Sequence, residues 1–150
     1  MRVGLGFDVH KFQVGRKLIL GGVNIDYPRG LAGHSDADVL VHSVMDAILG
    51  ACGLRDIGIH FPDSGIKYKN ISSLVLLEEV KRKMEDKNFS IINIDAVLIL
   101  QKPKVSKYIP EMKKNIAGVL NISGNDINIK ATTTENLGSV SYTHLTLPTN

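Results

Sequence analysis

The sequence contains a single cysteine, Cys52, and no tryptophan. One cysteine excludes an internal disulfide and a metal site built from several cysteines, and it is typical of a reducing compartment. No apolar stretch approaches the roughly 20 residues that a membrane-spanning helix needs. The amino terminus, Met1-Arg2-Val3-Gly4, lacks the pattern of a signal peptide. We therefore expect a cytoplasmic protein without a membrane segment.

The sequence also lacks a large excess of charge of either sign. The 150 residues include 18 basic and 15 acidic side chains, a formal net charge of +3, with no run of five like charges. Proteins that bind RNA concentrate basic residues and use aromatic side chains for stacking. Because only 5% of the residues are aromatic, the composition argues against nucleic acid as a partner. A chain of this length, with 43% apolar and 22% charged residues, is typical of one globular domain.

The apolar pattern switches between the strand and helix periods. Alternation in residues 2–10 predicts a strand whose buried face carries Val3, Leu5, Phe7 and Val9. Further strands are predicted at residues 18–20, 23–25, 91–101 and 126–132, and helices at about residues 36–51 and 73–87 and from Pro110 onward. A long loop is predicted at residues 54–70. We therefore expect a single domain of the α/β class (an α+β sandwich), with a mixed sheet covered by helices.

Three polar residues have the spacing of a metal site. Asp8 and His10 lie two apart on a predicted strand and so share a face, and His42 lies within an apolar run of a predicted helix. One carboxylate and two imidazoles suit zinc or a similar divalent cation, with a fourth position open to substrate. Alternatively, His42 is a core histidine that bonds to Asp38 or Asp46, four residues away on the same helix. The same carboxylates, Asp46 in particular, would also serve to orient a ligating histidine.

Other segments allow both a structural and a functional interpretation. Ser35 as N-cap with Asp38 three residues later fits a capping box, which leaves His34 unexplained on a glycine-rich loop where an anion would bind well. Thr132-Thr133-Thr134-Glu135 is either an exposed strand end or a set of phosphate-binding hydroxyls with a carboxylate for magnesium. Lys102-Pro103-Lys104 is either a solvated turn or a phosphate contact.

Together these segments resemble the 2-C-methyl-D-erythritol 2,4-cyclodiphosphate synthases of the non-mevalonate isoprenoid pathway. The similarity is collinear over residues 1–138. The segments that carry it are Gly6-Phe7-Asp8-Val9-His10, Gly21-Gly22-Val23, His34-Ser35-Asp36-Ala37-Asp38-Val39, the helix through His42 and Asp46, Asp56-Ile57-Gly58, Phe61-Pro62-Asp63, Gln101-Lys102-Pro103-Lys104, and residues 130–138.

The resemblance implies a homotrimer with active sites between neighbouring subunits. Family members convert 4-diphosphocytidyl-2-C-methyl-D-erythritol 2-phosphate, a cytidine diphosphate-linked substrate, into the 2,4-cyclodiphosphate and release CMP. They hold zinc and, with the substrate diphosphate, magnesium or manganese. Zinc would be bound by Asp8, His10 and His42, and the second ion would contact Glu135.

The resemblance also implies which residues act on the substrate. His34 and Thr133 would stabilise the transition state. The implied substrate-binding residues are Asp8, His10, His34, Ser35, Asp56, Ile57, Gly58, Phe61, Pro62, Asp63, Ser64, Gly65, Leu100, Gln101, Lys102, Pro103, Lys104, Val105, Ser106, Ala131, Thr132, Thr133, Thr134 and Glu135.

From residue 139 the chain departs from the family pattern. No lysine, arginine, aspartate or glutamate follows Glu135, and Ser139 and Tyr142 stand where the family has a phenylalanine and an arginine. We therefore divide the chain into a synthase-like domain, residues 1–138, and an atypical tail, residues 139–150, which we hypothesise to be foreign or frame-shifted. The expected consequence is a sheet without its closing element.

Two alternatives belong to other functional classes. In the first, Asp8, His10 and His42 hold zinc only to stabilise a nucleotide-binding module without catalysis, which predicts a closed site with four protein ligands. In the second, a small RNA- or nucleotide-binding domain uses lysines such as Lys102 and Lys104, which predicts aromatic residues on a sheet face.

Overall fold

The computed structural model describes residues 1–62 and 68–137. The predicted site residues Asp63, Ser64 and Gly65, and the predicted tail at residues 139–150, lie outside the described residues.

Short antiparallel strands follow the first eleven residues. They are β1 (Phe12–Val14), β2 (Leu18–Leu20), β3 (Val23–Ile25) and β4 (Arg29–Leu31). β1 pairs with β4, and β2 pairs with β3. Gly21 and Gly22, which join β2 to β3, have φ values of 58° and 71°, a conformation that glycine adopts without steric cost. The two strands that the sequence predicts at residues 18–20 and 23–25 are confirmed, and they pair as a hairpin.

Four helices lie in the described ranges, and the three longer ones form most of the core. They are α1 (Val39–Cys52), α2 (Ile57–His60), α3 (Ser73–Asp86) and α4 (Ile109–Leu120). α1 packs against α3, and α3 packs against α4, which buries side chains such as Leu49, Leu77 and Ile116 completely. A helix of the length and apolarity required to cross a bilayer is absent from the described ranges.

The first helix begins later than predicted. Its N-cap is Asp38, whose carboxylate accepts a hydrogen bond from the amide of Val41, and not Ser35. Ser35 instead accepts a hydrogen bond from the amide of Ala37. The capping box predicted with Ser35 as N-cap is therefore wrong, because a carboxylate three residues further on satisfies the first turn of α1.

A parallel strand pair completes the fold. β5 (Ile94–Ile99) and β6 (Ile127–Thr132) are parallel, with Ile94 opposite Ile127. Parallel strands need a crossover connection, and α4 provides it, flanked by short 3₁₀ turns at Ser106–Tyr108 and Gly124–Asp126. The carboxyl ends of β5 and β6 consequently lie side by side. Parallel and antiparallel strand pairs packed with helices confirm the mixed α/β class.

Residues 2–10 pack with the opposite face from the one predicted. Leu5 is 90% exposed and Phe7 is 76% exposed, and Val3 and Val9 are also exposed. Gly4 and Gly6 face α1 so closely that a Cβ on either would lie 1.8 Å from a carbonyl oxygen of the helix. The predicted burial of the apolar face is wrong because the backbone approaches α1 closer than any side chain would allow. These residues also form no strand.

A groove lies between this amino-terminal segment and β5. Its volume is about 1060 Å³, and it is lined by residues 1–10, residues 88–100 and one side of α1. Among the described residues, β5 pairs with β6 alone, so its second edge has no strand partner there. Val97 and Ile99 on β5 are exposed, as are Leu5 and Phe7 on the opposite wall.

Candidate metal centre

Asp8, His10 and His42 converge at one place. Oδ2 of Asp8 lies 2.9 Å from Nε2 of His10 and 3.0 Å from Nδ1 of His42. The candidate ligand atoms of all three residues lie within 4.8 Å of one another. α1 positions His42, and the glycine-packed segment beside it positions the other two residues. The cluster predicted from the sequence is confirmed.

The cluster is open on one side. His42 is buried, whereas Asp8 and His10 are partly exposed. A structural zinc site has four protein ligands, and a catalytic site keeps one position free for water or substrate. Because the cluster found among the described residues has three members, it matches the open arrangement rather than the closed site of a purely structural zinc.

Backbone contacts determine which nitrogen of His10 is available. Nδ1 of His10 lies 2.5 Å from the carbonyl oxygen of Ala32. A carbonyl oxygen can only accept a hydrogen bond, so Nδ1 donates, and in the neutral ring Nε2 keeps its lone pair. Nε2 is the nitrogen that faces Asp8, so His10 presents a ligand atom to the centre of the cluster.

Asp8 supplies negative charge at the same point. Burial raises the pKa of the Asp8 carboxyl, but hydrogen bonds with His10 and His42 outweigh that effect and hold the pKa well below its ordinary value. An ionised carboxylate and an imidazole lone pair repel each other at 2.9 Å unless positive charge lies between them. A proton or a metal cation meets that need. One carboxylate and two imidazoles form a donor set that fits a divalent cation.

Two serines contact the outer nitrogen of His42. Nε2 of His42 lies 2.9 Å from Oγ of Ser73 and 3.2 Å from Oγ of Ser35. Sequence reasoning predicted Asp38 or Asp46 at this position, on the basis of helix spacing. The structure corrects that prediction, because both carboxylates bind backbone amides instead.

Asp38 and Asp46 have clear structural partners. The Asp38 carboxylate is fully buried and accepts hydrogen bonds from the amides of Gly21, Gly22 and Val41. It ties the β2–β3 hairpin to the start of α1. Burial raises the pKa of Asp38 to about 6, although the three hydrogen bonds act in the opposite direction. Asp46 accepts from the amide of Ile57 at 2.8 Å, which fixes the start of α2 against α1.

The loop before α1 is held by backbone contacts at several points. The carbonyl of His34 accepts from the amide of Asn70 at 2.9 Å, and the carbonyl of Ser35 accepts from Arg16 at 2.6 Å. Since Ser35 also contacts His42 through its hydroxyl, these bonds hold the His34–Ser35 segment beside the metal cluster. Asp56 is the N-cap of α2, and Phe61, directly after α2, packs edge-on against the ring of Tyr68 at 5.6 Å.

Leu100, Gln101 and residues 132–135 form a second group of predicted site residues, at the carboxyl ends of β5 and β6. The amide of Leu100 donates to the carbonyl of Thr132 at 3.0 Å, and Gln101 donates to Oγ1 of Thr134 at 3.2 Å. Thr133 donates to the carboxylate of Glu135. Glu135 is not a member of the Asp8–His10–His42 cluster. The predicted residues of the two parallel strand ends therefore do come together.

Sequence reasoning missed Ser73 and assigned Asp36 no role beyond the helix start. Ser73 is 31 positions from His42 in the sequence. It begins α3, and a serine at a helix start is ordinarily explained by capping. No local spacing signal connects it to a histidine on another helix.

The mixed fold and the open Asp–His–His cluster together define the class of protein. It is an α/β protein with a candidate site for a divalent metal. More particularly, the chain belongs to the YgbB family, whose family model matches residues 1–145.

Individual relatives extend this assignment. The chain is 62% identical over 138 residues to the 2-C-methyl-D-erythritol 2,4-cyclodiphosphate synthase of Clostridium acetobutylicum. The aligned residues cover 92% of this chain and 89% of that protein. The chain is 59% identical to the enzyme of the same name from Clostridium novyi, with 92% and 88% covered. Among solved structures, the CDP complex of IspF from Plasmodium falciparum matches with a TM-score of 0.81 and 38% identity, over 95% of this chain and 87% of that one. The family resemblance predicted from the sequence is confirmed.

Proposed function

We propose that this chain catalyses the reaction for which its relatives are named, the formation of 2-C-methyl-D-erythritol 2,4-cyclodiphosphate in isoprenoid precursor biosynthesis. The substrate is 4-diphosphocytidyl-2-C-methyl-D-erythritol 2-phosphate. An oxygen of its 2-phosphate forms a bond to the β-phosphorus, the bond from that phosphorus to the bridging oxygen breaks, and CMP leaves with the bridging oxygen. The chain is therefore a cyclising phosphorus–oxygen lyase. The observation that carries this proposal is the convergence of Asp8, His10 and His42 in a chain 62% identical to a named synthase.

We assign zinc to Asp8, His10 and His42, because two imidazoles and one carboxylate are typical zinc ligands. When bound, zinc acts as a Lewis acid that polarises a phosphate oxygen. Glu135 offers oxygen ligands, which magnesium and manganese prefer. We assign that second ion to Glu135 together with the substrate diphosphate.

The chain's own residues bind and orient the phosphates. His34 and Thr133 carry polar hydrogens suited to phosphate oxygens whose charge grows in the transition state. Ser35 and residues 56–58 would contact the erythritol and its phosphate, and Phe61 would shape the same pocket. Because the substrate's own phosphate attacks, no side chain has to serve as nucleophile.

We further propose that the active form is a cytoplasmic homotrimer. The metal cluster and the group at the ends of β5 and β6 would then meet across a subunit boundary. In that arrangement residues 100–106, with Ala131 and Thr132, bind the cytidine diphosphate end of the substrate from the neighbouring subunit. The Asp8–His10–His42 cluster does not include Glu135, which contacts Thr133 beyond the end of β6, and this supports the arrangement.

The direct test is conversion of the synthetic substrate by the zinc-loaded chain with magnesium present. Phosphorus NMR detects the cyclic diphosphate, and chromatography detects CMP. We expect both products from the wild type and a fall of several orders of magnitude for Asp8→Asn, because a polarising cation supplies several kcal/mol to phosphoryl transfer.

A matched control is Glu78→Gln, which makes the same carboxylate-to-carboxamide change at an exposed i,i+4 pair with Arg82. It should turn over at the wild-type rate, since such surface pairs contribute little. Substrate left unconsumed by zinc-loaded wild type, or full turnover by Asp8→Asn, would overturn the proposal.

A further inference from the structure

A chain of hydrogen bonds continues outward from His42, beyond the metal ligands. Nε2 of His42 lies 2.9 Å from Oγ of Ser73, and that hydroxyl lies 2.5 Å from Oδ1 of Asp36. The amide of Ser73 donates to the other carboxylate oxygen of Asp36 at 2.9 Å. Ser73 is fully buried. Asp36 therefore holds Ser73 by two bonds, and Ser73 meets His42 away from solvent.

The chemistry of these groups gives the chain one direction. An ionised carboxylate only accepts hydrogen bonds, so the hydroxyl of Ser73 donates its single proton to Asp36. The oxygen of Ser73 is then an acceptor toward His42. Because Ser73 lies nearer to Nε2 than Ser35 does, at 2.9 Å against 3.2 Å, its acceptor oxygen places the proton on Nε2 of His42. The lone pair of the neutral ring consequently lies on Nδ1, the nitrogen that faces Asp8.

Capping of α3 does not account for the Ser73 hydroxyl. The N-cap of α3 is Ser72, whose exposed side chain accepts from the amide of Leu74. The hydroxyl of Ser73 contacts Asp36 and His42, and both partners lie outside α3.

We propose that Ser73 and Asp36 are positioning residues that hold His42 in the tautomer and orientation needed for Nδ1 to bind the metal. This inference rests on the proposed metal site and adds to it two residues outside the Asp8–His10–His42 ligand set. Ligating histidines commonly donate their second N–H to a neighbouring acceptor, and loss of that acceptor weakens metal binding. Here the acceptor is a serine hydroxyl that a carboxylate orients.

The first test measures zinc affinity by competition with a chromogenic chelator. Ser73→Ala removes the nearer of the two serine hydroxyls at Nε2 of His42 and leaves Ser35 at 3.2 Å. We expect a dissociation constant about 10- to 100-fold higher. The matched control is Ser72→Ala, the adjacent serine, which loses a helix cap but no contact with His42. It should lower the melting temperature and leave the zinc dissociation constant within about twofold, since caps affect stability locally.

A second variant, Asp36→Asn, tests the direction of the chain. In this variant the side-chain oxygen of the new asparagine can still accept the hydrogen bond from the backbone amide of Ser73. The side-chain NH₂ group then faces the hydroxyl of Ser73 and donates to it, so the hydroxyl must turn its own proton toward His42. That arrangement favours the wrong tautomer, and zinc binding should weaken as in Ser73→Ala. This variant keeps the inference testable if Ser73→Ala fails to fold.

Nitrogen NMR of histidine-labelled, zinc-loaded protein reads the tautomer directly. The wild type should show His42 protonated at Nε2 and metal-bound at Nδ1. The inference would be overturned if zinc bound through Nε2 of His42. It would also be overturned if Ser73→Ala and Asp36→Asn both folded and bound zinc as tightly as Ser72→Ala does. If the wild type binds no zinc, the proposed metal site itself is wrong. If the wild type binds zinc and Ser73 does not influence the affinity, only the inference about Ser73 and Asp36 is wrong.

Discussion

Gly6 lies against Ser43 so closely that a Cβ on Gly6 would be 1.8 Å from the carbonyl oxygen of Ser43. Gly6 precedes Asp8 by two residues, and Ser43 directly follows His42 in the sequence. This backbone contact sets how near the amino-terminal segment comes to α1. It therefore sets the 3.0 Å separation between Asp8 and His42.

Gly6→Ala should separate the metal ligands. The added methyl group has no space, so the segment must move away from α1. We expect the zinc dissociation constant to rise at least about tenfold, the scale found when support for a metal ligand is lost. The control is Gly118→Ala in α4, where a Cβ meets nothing within 4 Å. It should leave zinc affinity unchanged and stabilise the helix by about 0.5–1 kcal/mol. Equal zinc affinity in the two variants would show that the Gly6 contact does not position the site.

The buried Asp38 carboxyl should make stability fall as pH rises. Its pKa is about 6 in the native state against an ordinary value of 3.8. Between those values the native state binds more protons than the unfolded state, so the free energy of unfolding decreases with rising pH. Below and above this window the contribution is constant. At about 1.4 kcal/mol per pKa unit, the decrease reaches at most about 3 kcal/mol.

Denaturant unfolding of the metal-free protein at pH 4 and pH 6.5 measures this effect. Subtracting the values for Asp38→Asn isolates the Asp38 carboxyl from other titrating groups. The wild-type advantage over the variant should shrink at the higher pH. A difference that stays constant or grows with pH would contradict the assignment.

The proposed subunit boundary can be tested by mixing inactive variants. His42→Ala damages the metal cluster, and Lys104→Glu damages the proposed cytidine diphosphate pocket. If each active site draws these residues from different subunits, mixed trimers regain about a quarter of the wild-type sites, as random assembly in a cyclic oligomer predicts. Mixing His42→Ala with Asp8→Asn, both in one cluster, should restore nothing. No recovery in the first mixture, in trimers shown to have exchanged subunits, would place both groups in one chain.

Replacing residues 139–150 with the ending of the Clostridium acetobutylicum relative should stabilise the protein. A matched ending would cover apolar side chains such as Leu5, Phe7, Val97 and Ile99, which line a groove of about 1060 Å³. Each kcal/mol gained raises the melting temperature of a domain this size by about 2–4 °C. CMP release should also increase. A genomic reading frame that encodes the present tail, together with no gain in either measurement after the exchange, would refute the hypothesis of a foreign tail.

Much of the fold could be predicted from the local apolar pattern of the sequence. Where that prediction was wrong, the error has a physical cause. The strands predicted at residues 18–20, 23–25, 91–101 and 126–132 and the three predicted helices are found because apolar periodicity reflects burial. Residues 2–10 are the exception: the alternation is real, but the glycine face is the packed one. Periodicity ranks the two faces of a segment by the apolarity of their side chains. It cannot detect a backbone that approaches a helix directly, as Gly4 and Gly6 do.

The metal ligands were predictable and their supporting groups were not. Asp8 and His10 share a face by spacing alone, and the family resemblance links them to His42. Asp38 and Asp46 were plausible partners of His42 at helix spacing, but unpaired backbone amides of Gly21, Gly22 and Ile57 take those carboxylates. Ser73 meets His42 only because α1 packs against α3, and such tertiary contacts leave no trace in local spacing.

Zinc titration of the metal-free enzyme tests the central claim most directly. The claim is that one cation held by Asp8, His10 and His42 enables cyclisation. With magnesium present throughout, the rate of CMP release should rise in proportion to added zinc and level off at one zinc per chain. His42→Ala should stay near the metal-free rate over the same range. A metal-free enzyme that already releases CMP at the full rate, or a zinc response that His42→Ala retains, would contradict the account.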